Sequence, residues 1–102
     1  MVVKIMYKLY AKEGMGREEF VDVWLKTIVP LSKQAPGVKK WVVNAVVSAQ
    51  GEDPGYQGSG EIWFDSMKEL QAFLAFVNER RSSAPNFTRK ETIMIVEEHV
   101  IV

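Results

Sequence analysis

Gly60-Glu61-Ile62-Trp63-Phe64-Asp65-Ser66-Met67-Lys68-Glu69 changes, within ten residues, from the apolar spacing of a strand to that of a helix. Ile62 and Phe64 fall on one side of an extended chain, and Glu61, Trp63 and Asp65 fall on the other. Ser66 to Glu69 then matches a capping box, in which the hydroxyl serves a free helix amide and the Glu reaches back to the cap. Leu70, Phe73, Leu74 and Val77 follow at helical spacing, so a second helix begins here and buries one stripe. The polar stretch Asn78 to Asn86, with Pro85, ends it. Upstream, Gln50 to Gly58 carries Gly51, Asp53, Pro54 and Gly55, the composition of a surface hairpin loop. Before that loop, Val38 to Ala49 holds Trp41, Val42, Val43, Val46 and Val47 around Asn44, a strand that is apolar on both sides.

Further outward, Val2 to Ala11 places Val3, Ile5, Tyr7 and Leu9 on one side and Lys4, Met6, Lys8 and Tyr10 on the other, which predicts the first strand. Gly14 and Gly16 break it. A helix starts near Arg17, with Glu18 and Glu19 in its first turn, where the macrodipole favours anions. Its stripe is Phe20, Val23, Trp24, Thr27, Ile28 and Leu31. Pro30 biases Val29 away from helical geometry and predicts a kink or an end there, and Ala35-Pro36-Gly37 makes the following turn. Thr92 to Val102 is the last strand. The order βαββαβ in one domain, residues 1–102, is the ferredoxin-like α+β plan: a four-stranded antiparallel sheet with both helices on one face. The other face then carries one side of the doubly apolar strand, with Trp63 and with Val96, Val100 and Val102 of the last strand, opposite Ile93, Ile95 and Ile101. An apolar face of that kind needs a cover, and the same face of a second copy supplies it as a twofold homodimer.

The chain has 13 basic and 13 acidic residues, and no block of like charge marks a nucleic-acid or lipid-headgroup partner. It has no cysteine, which excludes disulfides, thiolate metal sites and a cysteine nucleophile. No run approaches the roughly 18 apolar residues of a membrane span. Met1 to Tyr10 alternates in polarity where a signal peptide needs an unbroken apolar run, so a cytoplasmic protein is expected.

Phe20, Trp24, Pro30 and Leu31, then Pro36-Gly37, then Glu61 to Ser66 resemble the EthD family. The resemblance covers nearly the whole chain and implies a dimeric α/β barrel with a pocket in each subunit between the sheet and the first helix. Proteins of that architecture include monooxygenases, lactone isomerases, polyketide cyclases and haem-degrading enzymes, and fold alone does not choose among them. Members of the family usually carry a histidine just before the helix proline, in a pattern like H-A-P-L. Here the stretch reads Ile28-Val29-Pro30-Leu31, and isoleucine can pack but cannot move a proton.

The candidate catalytic groups are therefore His99, Glu61 and Tyr7. His99 is the only histidine and has the strand parity of Glu97; it is either a base or a surface or dimer-rim group. Glu61, in a strand, is either a base or the ion-pair partner of Lys4 or Lys8. Tyr7, with Tyr10 and Asn44, can orient a carbonyl or phenol by hydrogen bonding. Trp24, Ile28, Trp41, Asn44, Trp63 and Phe64 are the candidate wall of a site for a small apolar ligand, the alternative for each aromatic being plain core. No phosphate loop, nucleophile elbow or metal-ligand cluster is present, so neither cofactor nor metal is expected. The expected function is that of a cofactor-independent oxidoreductase, isomerase or cyclase acting on an aromatic or lactone-like metabolite, or of a non-catalytic ligand-binding dimer.

Overall fold

The computed structural model describes residues 2–51 and 53–102; Met1, where the leader reading begins, and Glu52, in the hairpin loop, lie outside the described residues. β1 (Val2–Ala11) is a central strand of a four-stranded antiparallel sheet ordered β2-β3-β1-β4, with β2 at Lys40–Ala45, β3 at Gly58–Phe64 and β4 at Thr88–Glu98. Its odd residues Val3, Ile5 and Leu9 are buried under the helices, as their alternation requires. In the antiparallel register Tyr7 faces Gly60 and Ile93, and Lys4 faces Trp63 and Val96, so each set shares a face across three strands.

The helix after Gly16 does not end at Pro30. It runs as α1 (Arg17–Val23), a π-helical turn (Trp24–Ile28) and α2 (Val29–Ser32) without a break, and Val29 is helical at φ −58°, ψ −46°. A helical proline has no amide hydrogen to donate, and its ring presses on the carbonyl four residues back. Widening the preceding turn, so that the Val29 amide reaches the Trp24 carbonyl, accommodates that ring. α3 (Met67–Arg80) is capped by Ser66, whose hydroxyl accepts the Glu69 amide at 3.3 Å. The Glu69 side chain packs against Gly37, a glycine with φ +85° whose site leaves only 3.2 Å between an added Cβ and the Glu69 Cβ.

Two strand limits differ from the sequence reading. β4 begins at Thr88 and stops at Glu98, because its pairing with β1 runs from Ala11↔Thr88 to Val2↔Glu98; His99 to Val102 continue past the ladder. β2 is confined to Lys40–Ala45, so Val47 belongs to the loop and is exposed.

Two adjoining clusters make the core. One joins Val3, Ile5, Ile62 and Phe64 to Leu70 and Phe73 of α3; the other joins Leu9, Phe20, Trp24 and Phe87. Tyr7 packs against both. The sheet face away from the helices is less apolar than its alternation suggests. At its centre Lys4 Nζ lies 3.1 Å from Glu61 and 2.9 Å from Glu98, and the Trp63 indole donates to Glu98 at 3.0 Å. Exposed apolar side chains instead gather on β4, at Ile93, Met94 and Ile95, and on Val100 to Val102. No helix among the described residues is long and apolar enough to cross a membrane.

Candidate functional site

A cavity of about 610 Å³ lies between the helices and the sheet, at the seam between the two core clusters. Its floor is Ile5, Tyr7 and Leu9 of β1 with Trp41 of β2. Trp24, Ile28 and Leu31 form one wall, and Phe73, Leu74 and Val77 of α3 form the other. The π-helical turn thus carries two wall residues, Trp24 and Ile28, at its first and last positions. Exposed Arg80, Arg81, Asn86 and Glu91 line the rim, where Arg81 and Glu91 pair at 3.0 Å.

Glycines make room for the floor. A Cβ on Gly60 would stand 2.2 Å from the Tyr7 Oη, and one on Gly58 would stand 2.4 Å from the Trp24 ring. Both aromatic rings therefore lie close against the β3 backbone, where only glycine fits. The Trp41 indole donates to the Tyr7 hydroxyl at 3.0 Å. Burial pushes the Tyr7 phenol up to about 12, and hydrogen bonding from the Trp41 indole only partly counters it. The group at the floor is therefore a neutral hydroxyl at physiological pH. A neutral hydroxyl among aromatic and aliphatic walls can orient one oxygen of an otherwise apolar molecule.

The structure brings together four of the residues singled out from sequence: Tyr7, Trp24, Ile28 and Trp41. Phe64 is buried beside the cavity, its ring 5.3 Å from that of Phe73. Glu61, Trp63 and Asn44 lie on the opposite sheet face, by the register that pairs Lys4 with Trp63, Met6 with Glu61 and Asn44 with Ser59. Glu61 is the ion-pair partner of Lys4 there. His99 lies 2.7 Å from Glu97 and is exposed. It stands six residues beyond Ile93, the partner of Tyr7, which is about 20 Å of extended chain. Gly58, Gly60 and the rim were missed. Two glycines spaced by one residue within a strand are the signal of a close approach to backbone, and that signal was available for the floor.

On the opposite face, the Glu98 carboxylate draws Lys4 above its usual lysine value, against the burial that opposes it. Bonds from Lys4 and from the Trp63 indole hold Glu98 below the usual carboxylate range. These directions mark a structural ion cluster whose members satisfy one another. No group of three or more His, Cys, Asp or Glu side chains among the described residues is placed to hold a metal ion.

Residues 12–80 match the sequence model of the EthD domain, more than half of the chain. The chain belongs to the EthD family. The EthD match includes Trp24, Ile28, Trp41 and the two β3 glycines, whereas Tyr7 and β4 lie outside it. Among solved structures, an EthD family protein from Bacillus halodurans superposes at TM-score 0.71 with 23% identity, covering 97% of this chain and 100% of that one. A protein from Arabidopsis thaliana gives 0.75 with 18% identity over 98% of each chain. A dimeric ferredoxin-like protein of unknown function from Thermobifida fusca gives 0.65 with 12% identity over 94% of this chain and 90% of that one. At these identities the likeness establishes the fold, which is the ferredoxin-like α+β fold of the EthD domain. No curated protein matches the chain.

Proposed function

We propose that this EthD protein takes up a flat apolar metabolite, aromatic or lactone-like, between its first helical arm and the sheet, and that it acts on it as a cofactor-independent oxidoreductase, isomerase or cyclase. The observation that carries the reading is the cavity of about 610 Å³ with apolar walls and one neutral hydroxyl, that of Tyr7, on its floor. The volume suits a small ring system. For an isomerase or cyclase, catalysis in such a site comes from holding the molecule in one reactive conformation and from a proton transfer at its oxygen, chemistry that needs no charged group on the floor; an oxidation needs dioxygen besides, as the electron acceptor. His99 lies past the end of the sheet and Glu61 pairs with Lys4 on its other face, which favours Tyr7 as the group that meets the ligand.

The functional unit in this reading is a homodimer closed through the sheet face. Its support is Met94 of β4, exposed on the face away from the helices, and the description of relatives of this fold from Thermobifida fusca, Bacteroides fragilis and Jannaschia as dimeric. Small soluble partners inside the cell, rather than nucleic acid or membrane, fit the balanced charge.

A second reading is favoured by Ile28. This residue lines the cavity at the position where the family resemblance puts a histidine, and a site that has exchanged an imidazole for an aliphatic group suits binding without turnover. Native mass spectrometry of the protein incubated with a metabolite mixture separates the two. A retained compound recovered with altered mass or retention time supports the enzyme; a compound recovered unchanged supports the binding protein. If no apolar compound is retained, both readings fail.

A further inference from the structure

We propose that Trp41 is a positioning residue that acts through Tyr7, fixing the Tyr7 hydroxyl as the donor to a phenol, phenolate or enolate oxygen carried on the ring of the ligand. This deepens the function proposed above and rests on it, since it assigns the chemistry of the molecule that the cavity takes.

An indole nitrogen only donates, whereas a phenol has one hydrogen to donate and lone pairs with which to accept. The Trp41 Nε1 hydrogen lies on the Tyr7 oxygen at 3.0 Å and so occupies its acceptor side. The phenolic hydrogen is left for another acceptor. Among the hydrogen bonds of the described residues, Tyr7 accepts and does not donate, and its ring lines the cavity. At the rim, Glu91 gives one oxygen to Arg81 at 3.0 Å, and among the described residues no hydrogen bond joins its carboxylate to Tyr7. The oxygen that completes the Tyr7 hydroxyl is therefore assigned to the ligand.

Packing alone does not account for this arrangement. An aromatic ring laid over a strand glycine is a known way of covering exposed backbone, and phenylalanine would do that at Gly60 as well. The hydroxyl adds a polar atom to an apolar floor, a costly choice unless it is bonded. Gly60 lets the ring and its hydroxyl sit against the strand backbone, because even a methyl there would stand 2.2 Å from Oη and Cζ. A donor that is fixed, neutral and polarised by a second donor behind it is matched to an oxygen bearing negative charge. Hydrogen bonds to charged oxygen are roughly twice as strong as neutral ones, and a chain of donors strengthens each member. A bare hydrocarbon gains nothing from such a floor.

The test uses the full chain with 4-nitrophenol and nitrobenzene, flat probes of nearly equal size that differ by the oxygen and quench tryptophan fluorescence. The wild-type protein is expected to bind 4-nitrophenol at least about tenfold more tightly. Tyr7→Phe removes that preference, and Trp41→Phe reduces it several-fold, each read as the ratio of the two affinities within one variant, so that a change in cavity shape common to both probes cancels. Circular dichroism establishes that each variant is folded. A readout on the wild-type chain accompanies these: with 13Cζ-labelled tyrosine, assigned through Tyr10→Phe and Tyr56→Phe, 4-nitrophenol shifts the Tyr7 resonance and nitrobenzene does not. Equal binding of the two probes, or a preference that survives Tyr7→Phe, overturns the inference while leaving the apolar cavity intact as a binding site. Binding of neither probe overturns the cavity reading and this inference with it.

Discussion

Two groups show how one sheet keeps its polar chemistry apart. On the helix side, Tyr7 is isolated among apolar side chains and holds its proton up to about 12. On the other side, Lys4 is enclosed by Glu61, Glu98 and Trp63, and its charge is stabilised by partners rather than removed by burial. The two faces therefore respond to pH in defined windows. Lys4 and Tyr7 both have raised values in the folded chain, so both contribute stability below their ordinary values near 10 and lose it as pH rises through the folded ones. Glu98 has a lowered value, so its contribution is complete above the ordinary carboxylate range and disappears as pH falls through the lowered one. Urea midpoints measured against pH are expected to form a plateau that falls at both ends. Tyr7→Phe should blunt the fall between about pH 10 and 12 and leave the acid limb alone. Glu98→Gln should lower the plateau and blunt the acid limb. An alkaline fall identical in the wild-type chain and in Tyr7→Phe would show that Tyr7 titrates as in the unfolded chain.

At the level of elements, the first helix and the second follow different logic. α3 is built from local signals: the Ser66 cap, Glu69 in the first turn, and Leu70 and Phe73 at helical spacing under the sheet. Ser66→Ala is expected to cost about 1 kcal/mol, measured as a lowered urea midpoint with unchanged slope. No loss would mean that packing of the Leu70 stripe alone holds the helix start. The first helix, in contrast, passes a proline that local preference reads as an interruption. Its apolar stripe, from Phe20 through Trp24 to Ile28, is packed onto Leu9 and Phe87, and that tertiary contact outweighs the bias on Val29. The conflict is absorbed by the π-helical turn, which also furnishes the cavity with Trp24 and Ile28. β4 makes a related point, since its limits are those of its partner β1 and not those of its own β-branched run.

For the molecule as a whole, the distribution of apolar surface bears on assembly. Met94 pairs with Met6 on the face away from the helices and is 41% exposed, next to exposed Ile93 and Ile95 on the same edge strand. Leu25, 42% exposed, lies on the helical side. In the proposed homodimer, Met94→Lys places a charge within the contact, whereas Leu25→Lys does not. Sedimentation at micromolar concentration is expected to find dimers for the wild-type chain and for Leu25→Lys, and folded monomers for Met94→Lys. A wild-type chain that sediments as a folded monomer would overturn the dimer, though not the cavity, which one chain completes by itself.

Much of this was legible in the sequence because it depends on neighbours in the chain. Alternation in β1 and β3, the cap at Ser66 and the order of elements determined the ferredoxin-like fold, and the position of Glu61 in a strand suggested a pair with Lys4 or Lys8, of which Lys4 forms it. The residues of the cavity were only half legible. Trp24, Ile28, Trp41 and Tyr7 are marked by their type, but Phe64 and Trp63 carry the same aromatic signal and end in the core and on the far face. Parity assigns residues to a side of a strand. It does not say where two helices leave a gap, which depends on side chains far apart in sequence meeting across strands. That is why only the tertiary structure decided that Gly58 and Gly60 seat two rings, that an indole lies behind the Tyr7 hydroxyl, and that His99 runs past the end of the sheet.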